Sequence, residues 1–297
     1  MVETAGHAGN APYLPFAGGG FRLSMGLMPL AEAQWLEFDG DVAAQLSEKR
    51  ELLASRHGDV FAALPECAAA ARELLDLMAR HLPLHHPRLF ARDDAVLTNR
   101  VTGEAWHVER PALHPLDLCG RLAQEDFCLL RERVLVGATL CAPARWRLAD
   151  KIGRPLAAIH APVAGYDAAL ARPVDRFFEH LQPGRIVWRL NWSIGDSPAR
   201  FQPVRPPPGA PVTAASAGER LWLRVERQTL RKLPASAAVV FTIRTHITRL
   251  DRAIATPAQA ADLASALRAM PPDMRRYKQI EPFAEDLLAW LDAASTA

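Results

Sequence analysis

The sequence predicts an α+β fold in which a largely antiparallel sheet is flanked by N-terminal and C-terminal helices. Three observations carry this expectation. Apolar residues at helical spacing fill much of the first third, six β-like runs cluster in the middle, and two further helical segments close the chain. Strands grouped in this way, rather than alternating one by one with helices, argue against a wound βαβ arrangement. No GxGxxG or Walker sequence contradicts that reading.

After a Gly-rich opening, "PLAEAQWLEFDGDVAAQLSEKRELLASRH" places Val42, Leu46, Leu52 and Leu53 at helical spacing, and "FAALPECAAAARELLDLMARHL" is read as a continuing helix. From Leu97 the pattern shortens. "EAWHVER", "FCLLRER" and "VLVGATLCAP" are expected strands, with a short helix in "LDLCGRLAQED" between the first two. "GYDAALARPVDRFFEHL" reads as one amphipathic helix, ended by Pro183 and Gly184. "RIVWRLNWSI", "ERLWLRVERQTL" and "SAAVVFTIRTHITRL" supply three more strands, and the segments 257–270 and 281–294 supply the closing helices. The proline-rich "FQPVRPPPGAPVTAASAGER", 201–220, is expected to be an exposed connection.

Composition narrows the function classes. The 297 residues are 49% hydrophobic and 23% charged with a net charge of +2, so bulk charge gives no reason to expect nucleic acid. Cys67, Cys119, Cys128 and Cys141 form no CxxC pair and no metal-like spacing with histidine; four reduced thiols and no iron–sulfur cluster are expected. The N-terminus lacks the basic start and apolar core of a secretory signal, and no apolar run approaches the roughly 18 residues of a membrane span. A cytoplasmic protein is the expectation.

The strands carry an unusual cargo of cations. Alternation puts Arg227 on the side of Leu221, Leu223 and Val225, and Trp222, Arg224, Glu226 and Gln228 on the other. In the next strand Phe241, Ile243 and Ile247 oppose Thr242, Arg244 and His246, while Arg189 and Asn191 oppose Trp188, Leu190 and Trp192. Two readings follow: solvated faces and structural ion pairs, or a pocket whose guanidiniums meet the carboxylates of an anionic cofactor or substrate. Alternation does not fix the register between strands.

His160, in "KIGRPLAAIHAPVAGYDAAL", is the histidine in the most apolar setting, just ahead of a helix expected to begin near Tyr166. Pro162 is expected to bias Ala161 toward an extended backbone. Such a histidine is either a core residue bonded to backbone or an axial iron ligand, which needs neutral imidazole, apolar walls and rigid placement. His7, His57, His81, His85, His86 and His114 lie in polar or loop-like contexts and are read as solvated.

The segments "MGLMPL" (25–30), "QEDFCLL" (124–130), "IHAPVAGY" (159–166), "RLNWSI" (189–194) and "RVERQTLRKLP" with "FTIRTH" (224–246) run in order along the chain. Together they resemble the haem-dependent oxidative N-demethylase family, whose catalytic subunit acts on small alkylamines such as dimethylamine. The resemblance runs from about residue 14 to 290, and "ERQTLRKLP…FTIRT" is its most specific part. It implies one domain over 1–297, with a helical region at about 30–85, a PAS-like haem-binding core at about 95–250 and C-terminal helices at about 257–295.

The resemblance also implies haem b, dioxygen, and electrons from NAD(P)H through a separate reductase with a ferredoxin-like component. The product is formaldehyde, which a tetrahydrofolate-binding partner captures. Carried onto this sequence, His160 becomes the proximal iron ligand and the metal site. Arg227 and Glu226 become the catalytic distal-pocket residues, and Arg189, Arg224 and Arg244 become cofactor-binding partners for the propionates or the substrate. Strict alternation sets Glu226 and Arg227 on opposite faces, so both line one pocket only if a bulge interrupts the strand. The family's "IHxPVPGY" departs here at Ala164, which removes a proline after the proposed ligand. The competing readings are a haem-PAS sensor or carrier without turnover, and an α+β protein whose arginines are ion-paired and whose His160 is core. No GxSxG, HExxH or Cys–His signature recommends a hydrolase.

Overall fold

The computed structural model describes residues 11–205 and 209–296. His7 and the central prolines of the 201–220 connection, Pro206 to Pro208, lie outside the described residues. The strands in chain order are β1 (Met28–Leu30), β2 (Phe61–Ala63), β3 (Phe90–Asp93), β4 (Val96–Asn99), β5 (Ala105–His107), β6 (Asp126–Arg131), β7 (Val134–Thr139), β8 (Ile186–Gly195), β9 (Trp222–Lys232) and β10 (Val239–Arg249). Seven of them form an antiparallel sheet in the order β1-β8-β9-β10-β6-β7-β2, and β3-β4-β5 form a small second sheet. The helices that matter here are α1 (Val42–Ser55), α2 (Ala68–His85), α3 (Pro115–Leu122), α4 (Leu156–His160), α5 (Ala171–His180), α6 (Pro257–Ala269), α7 (Pro272–Tyr277) and α8 (Ala284–Thr296).

The three central strands, β8, β9 and β10, are rich in β-branched and aromatic residues, and their ladder is regular. Leu190, Arg227 and Arg244 lie side by side across it, and so do Asn191, Glu226 and Thr245. The pairing of β9 with both neighbours runs without a register shift, whereas β6 and β7 slip once, between Leu129 and Leu130. No bulge is present near Glu226, so the alternation argued from sequence applies in full.

Each face of the sheet is therefore defined by parity. The face bearing Leu190, Trp192, Val225 and Val240 is covered at one end by Trp35, Leu36 and α2, and at the other by Leu263 and Leu267 of α6 with Leu287 and Leu291 of α8. Burial of such Leu and Met side chains contributes about 1.5–3 kcal/mol each. The opposite face bears Val187, Leu230, Phe241 and Ile243, and Ile159 of α4 with Phe177 and Phe178 of α5 packs on its lower part.

Several expectations are corrected. Phe61–Ala63 is an edge strand rather than helix, because Pro65 holds Leu64 extended (φ −78°, ψ 156°) and a new helical turn starts only at Pro65. The segment 166–180 is two helices broken at Leu170, since Pro173 has no N–H to offer the carbonyl of Ala169. The described part of the 201–220 connection is anchored: Arg220 donates to the carbonyls of Ala210 and Pro211, and Asp286 accepts from the Ala214 amide at 2.9 Å. His81 is not solvated but 3% exposed, with Nδ1 3.2 Å from Glu32 Oε1 and its ring edge-on to Trp35. Cys67, Cys119, Cys128 and Cys141 are all free and buried.

Candidate functional site

The register sorts the expected site residues into two groups. Arg227 and Arg244 share one face with His246, while His160, Arg189, Arg224 and Glu226 gather on the other. The expectation that all of them surround one pocket is not met.

Arg227 and Arg244, both buried, sit beneath residues 32–45 and pair with half-buried carboxylates of that segment. Arg227 donates to the carbonyls of Gln34 and Trp35 and pairs with Glu37 at 3.3 Å. Arg244 donates to Gln45 Oε1 at 2.7 Å, to the Thr245 carbonyl at 3.1 Å and to Asp39. Arg231 completes the row, paired with Glu32 at 2.9 Å and stacked 4.4 Å over Trp35. Burial alone would raise the Glu37 carboxyl, but the His246 hydrogen bond and the charges of Arg227 and Arg244 outweigh it and hold it below the usual carboxylate value. These guanidiniums already have their anions, so this row is structural.

His160 stands at the end of α4. Ala161 continues in the helical region (φ −50°, ψ −34°), contrary to the extended backbone expected before Pro162, because the chain turns there: the Val163 amide bonds the His160 carbonyl at 2.8 Å. The turn is finished by Gly165 at φ +74°, a left-handed conformation that a Cβ would strain, and by the Tyr166 amide on the Val163 carbonyl at 3.1 Å. The loop after His160 is thus closed by backbone bonds and Gly165, without the proline that Ala164 replaces. His160 Nδ1 donates to the Leu156 carbonyl at 2.9 Å, and the ring stacks on Tyr166 with centroids 5.0 Å apart and planes 10° from parallel. With Nδ1 committed, Nε2 is the lone-pair nitrogen. Burial is the main force lowering the His160 pKa; the Leu156 bond opposes it and the charges of Lys151 and Arg189 add to it. The imidazole is held neutral.

Above His160 a polar row crosses the sheet. Arg189 lies directly opposite Gln228, and Asn191 opposite Glu226. Glu226 accepts from Arg224 Nε at 3.2 Å, Asn191 Nδ2 at 3.2 Å and Gln228 Nε2 at 3.0 Å. A carboxylate offers about four acceptor sites, so one remains. Arg224 reaches this face but spends its other donors on the carbonyls of Ala142 and Arg200. Arg189 differs: its buried Nε has no partner among the described residues, and burial pulls its pKa down although Glu226 opposes that.

Lys278, just after α7, was not legible from sequence, nor was Gln228 as a ligand of Glu226. Lys278 Nζ donates to Asn191 Oδ1 at 3.3 Å and to the Trp192 carbonyl. Burial, partly opposed by Glu226, and the Arg189 charge bring the Lys278 ammonium down to about 8. The only signal in the sequence was the cation–aromatic string "RRYKQI", which nothing tied to a strand 87 residues earlier.

These residues fit a haem. A neutral imidazole with a free Nε2 offers an axial ligand, the cluster that Ile159, Phe177 and Phe178 join offers apolar surface on the same face of the sheet, and the orphaned donor of Arg189 offers a partner for a carboxylate. Among the described residues no cluster of three His, Cys, Asp or Glu side chains is arranged to hold a metal ion by itself, and no helix is long and apolar enough to cross a membrane. Comparison with known families agrees with this chemistry: residues 26–288 match the family described as haem-dependent oxidative N-demethylase, alpha subunit-like, and the chain belongs to it.

Proposed function

We propose that this protein is the haem-carrying subunit of an oxidative N-demethylase acting on a small secondary alkylamine such as dimethylamine. The observation that carries the reading is the shared face of His160, with Nδ1 anchored and Nε2 free, and of Arg189, whose buried Nε has no partner. His160 would hold the iron of haem b through Nε2, and Arg189 a propionate; the central sheet would act as the PAS-like core. Bound haem supplies dioxygen activation and oxidation of the N-methyl carbon, with electrons from NAD(P)H delivered by a separate reductase and ferredoxin-like component.

The chain's own residues do the rest. Stacking on Tyr166 and the Leu156 bond fix the imidazole plane. The remaining acceptor site of Glu226 would receive an N–H of the substrate ammonium and hold the amine in one orientation. Arg224, Asn191 and Gln228 fix that carboxylate, so the amine binds an already oriented acceptor. Oxidation of one methyl gives a carbinolamine, which collapses to formaldehyde and the shorter amine; a tetrahydrofolate-binding partner would take up the formaldehyde. The alpha-subunit-like family description supports partner subunits.

The test is haem-loaded protein supplied with a reductase, NADPH, oxygen and dimethylamine. Stoichiometric, amine-dependent formaldehyde release is expected, and oxygen or reductant consumption without formaldehyde for any secondary amine would contradict the proposal.

A further inference from the structure

The polar row above His160 carries three cations and one carboxylate. Glu226 is hydrogen-bonded by Arg224, Asn191 and Gln228; its charge acts on Arg189 and Lys278, but among the described residues neither has a carboxylate within ion-pair distance. Among the described residues Lys278 donates to two neutral oxygens, Asn191 Oδ1 and the Trp192 carbonyl, and it lies 5.6 Å from the Trp192 ring centroid. Two partly desolvated cations at one site repel each other, and the arrangement is stabilised by an anion placed between them.

Arg189 lies on β8 on the same face as Asn191, and its charge acts on both His160 and Lys278. Asn191, which holds Lys278, is two residues further along β8, roughly 6–7 Å away. Arg189 and the Asn191 side chain that holds Lys278 are thus neighbours on one face of β8.

We infer that Arg189 and Lys278 form a carboxylate-binding pair on the face of the sheet that carries Asn191 and Glu226. The inference rests on the haem reading above. Arg189 brings a planar fork suited to a carboxylate, and Lys278 a point charge fixed by two neutral acceptors. The carboxylate has two sources: a propionate of the haem, or the acid group of an N-methylated amino acid, which would make the substrate a zwitterion rather than a plain alkylamine. Burial and the neighbouring Arg189 charge already weaken the Lys278 proton, so an incoming anion has a cation to relieve.

Haem titrations of wild type, K278Q and K278R decide it, with folding of each variant checked by circular dichroism. If the anion is a propionate, K278Q binds haem about ten- to hundredfold more weakly, K278R recovers most of the loss, and haem dimethyl ester abolishes the difference between wild type and K278Q. If it is a substrate acid, K278Q binds haem normally. The Soret shift produced by N,N-dimethylglycine in the loaded wild type is then lost, while that produced by dimethylamine is kept. Should K278Q not fold, the wild type alone still reports: unchanged affinity for the diester together with no response to dimethylglycine overturns the inference. A K278Q that matches wild type in both titrations overturns it as well. A wild type that takes up no haem fails the functional reading itself, and the pair falls with it.

Discussion

Glu226 and Arg227 are consecutive residues that serve opposite sides of one sheet: Glu226 gathers Arg224, Asn191 and Gln228, whereas Arg227 turns away to Glu37 and the carbonyls of Gln34 and Trp35. The unbroken ladder of β9 with β8 and β10 leaves no bulge to bring them together. One residue thereby joins the polar row on the face of Arg189 and Asn191, and the next joins the ion pairs of the opposite face.

Arg227→Ala is expected to reduce stability by about 2 kcal/mol, since it strips the half-buried Glu37 carboxylate and two carbonyls of their partner. Urea denaturation measures this. The fraction that remains folded should bind haem with wild-type affinity. A loss of haem affinity at unchanged stability would return Arg227 to the pocket.

Glu226→Gln keeps the size of the side chain but removes the charge that would face the ammonium. The expected result is a fall of about ten- to hundredfold in kcat/KM for the amine with little change in haem loading, the scale of one charge-assisted hydrogen bond. Steady-state kinetics with a secondary amine checks it; equal kinetics for the variant would contradict it.

Gly165→Ala probes the turn that holds His160. A Cβ at φ +74° is strained and would meet Leu23 Cδ2 at 3.4 Å, so about 1 kcal/mol of stability should be lost. Ala164→Gly, one residue earlier, is the comparison. Thermal unfolding with and without haem distinguishes a general loss from one concentrated in the ligand loop.

The His81 and His86 pair predicts acid sensitivity. Burial is the chief cause that brings both from 6.5 to about 4, with the charge of His85 adding and, at His81, Glu32 opposing. The unfolded chain therefore takes up protons that the folded protein refuses, and stability is present near neutrality and lost as the pH falls from about 6.5 to about 4. Between pH 7.5 and pH 5 the loss should be on the order of 2 kcal/mol for each histidine, about 4 kcal/mol for the two together. Urea midpoints measure it, and His81→Gln should flatten the profile; a wild-type midpoint independent of pH would contradict the assignment.

The sequence announced the central ladder well because Leu190, Val225, Ile243 and their neighbours alternate cleanly, and alternation is a local property. It also singled out His160 and Glu226 as residues to watch, and it warned that Glu226 and Arg227 would part unless the strand bulged, as the unbroken ladder has them do. Grouping Arg227 and Arg244 with His160 failed for a non-local reason: their anions, Glu37 and Asp39, come from a segment about 190 to 205 residues earlier, and no periodicity links them. Lys278 was hidden for the same reason. His81 was misread because its polar neighbours in the chain are not its neighbours in space: Trp35 and Glu32 are.

The most direct test of the account is the ultraviolet–visible spectrum of the protein titrated with haem, oxidised and dithionite-reduced, beside His160→Ala. The account predicts a stoichiometric Soret band in the wild type that is lost or shifted in the variant, with Tyr166 and the rest of the fold unchanged by circular dichroism. A wild type without the band, or a variant whose spectra match it in both oxidation states, would contradict the assignment of His160 as the iron ligand.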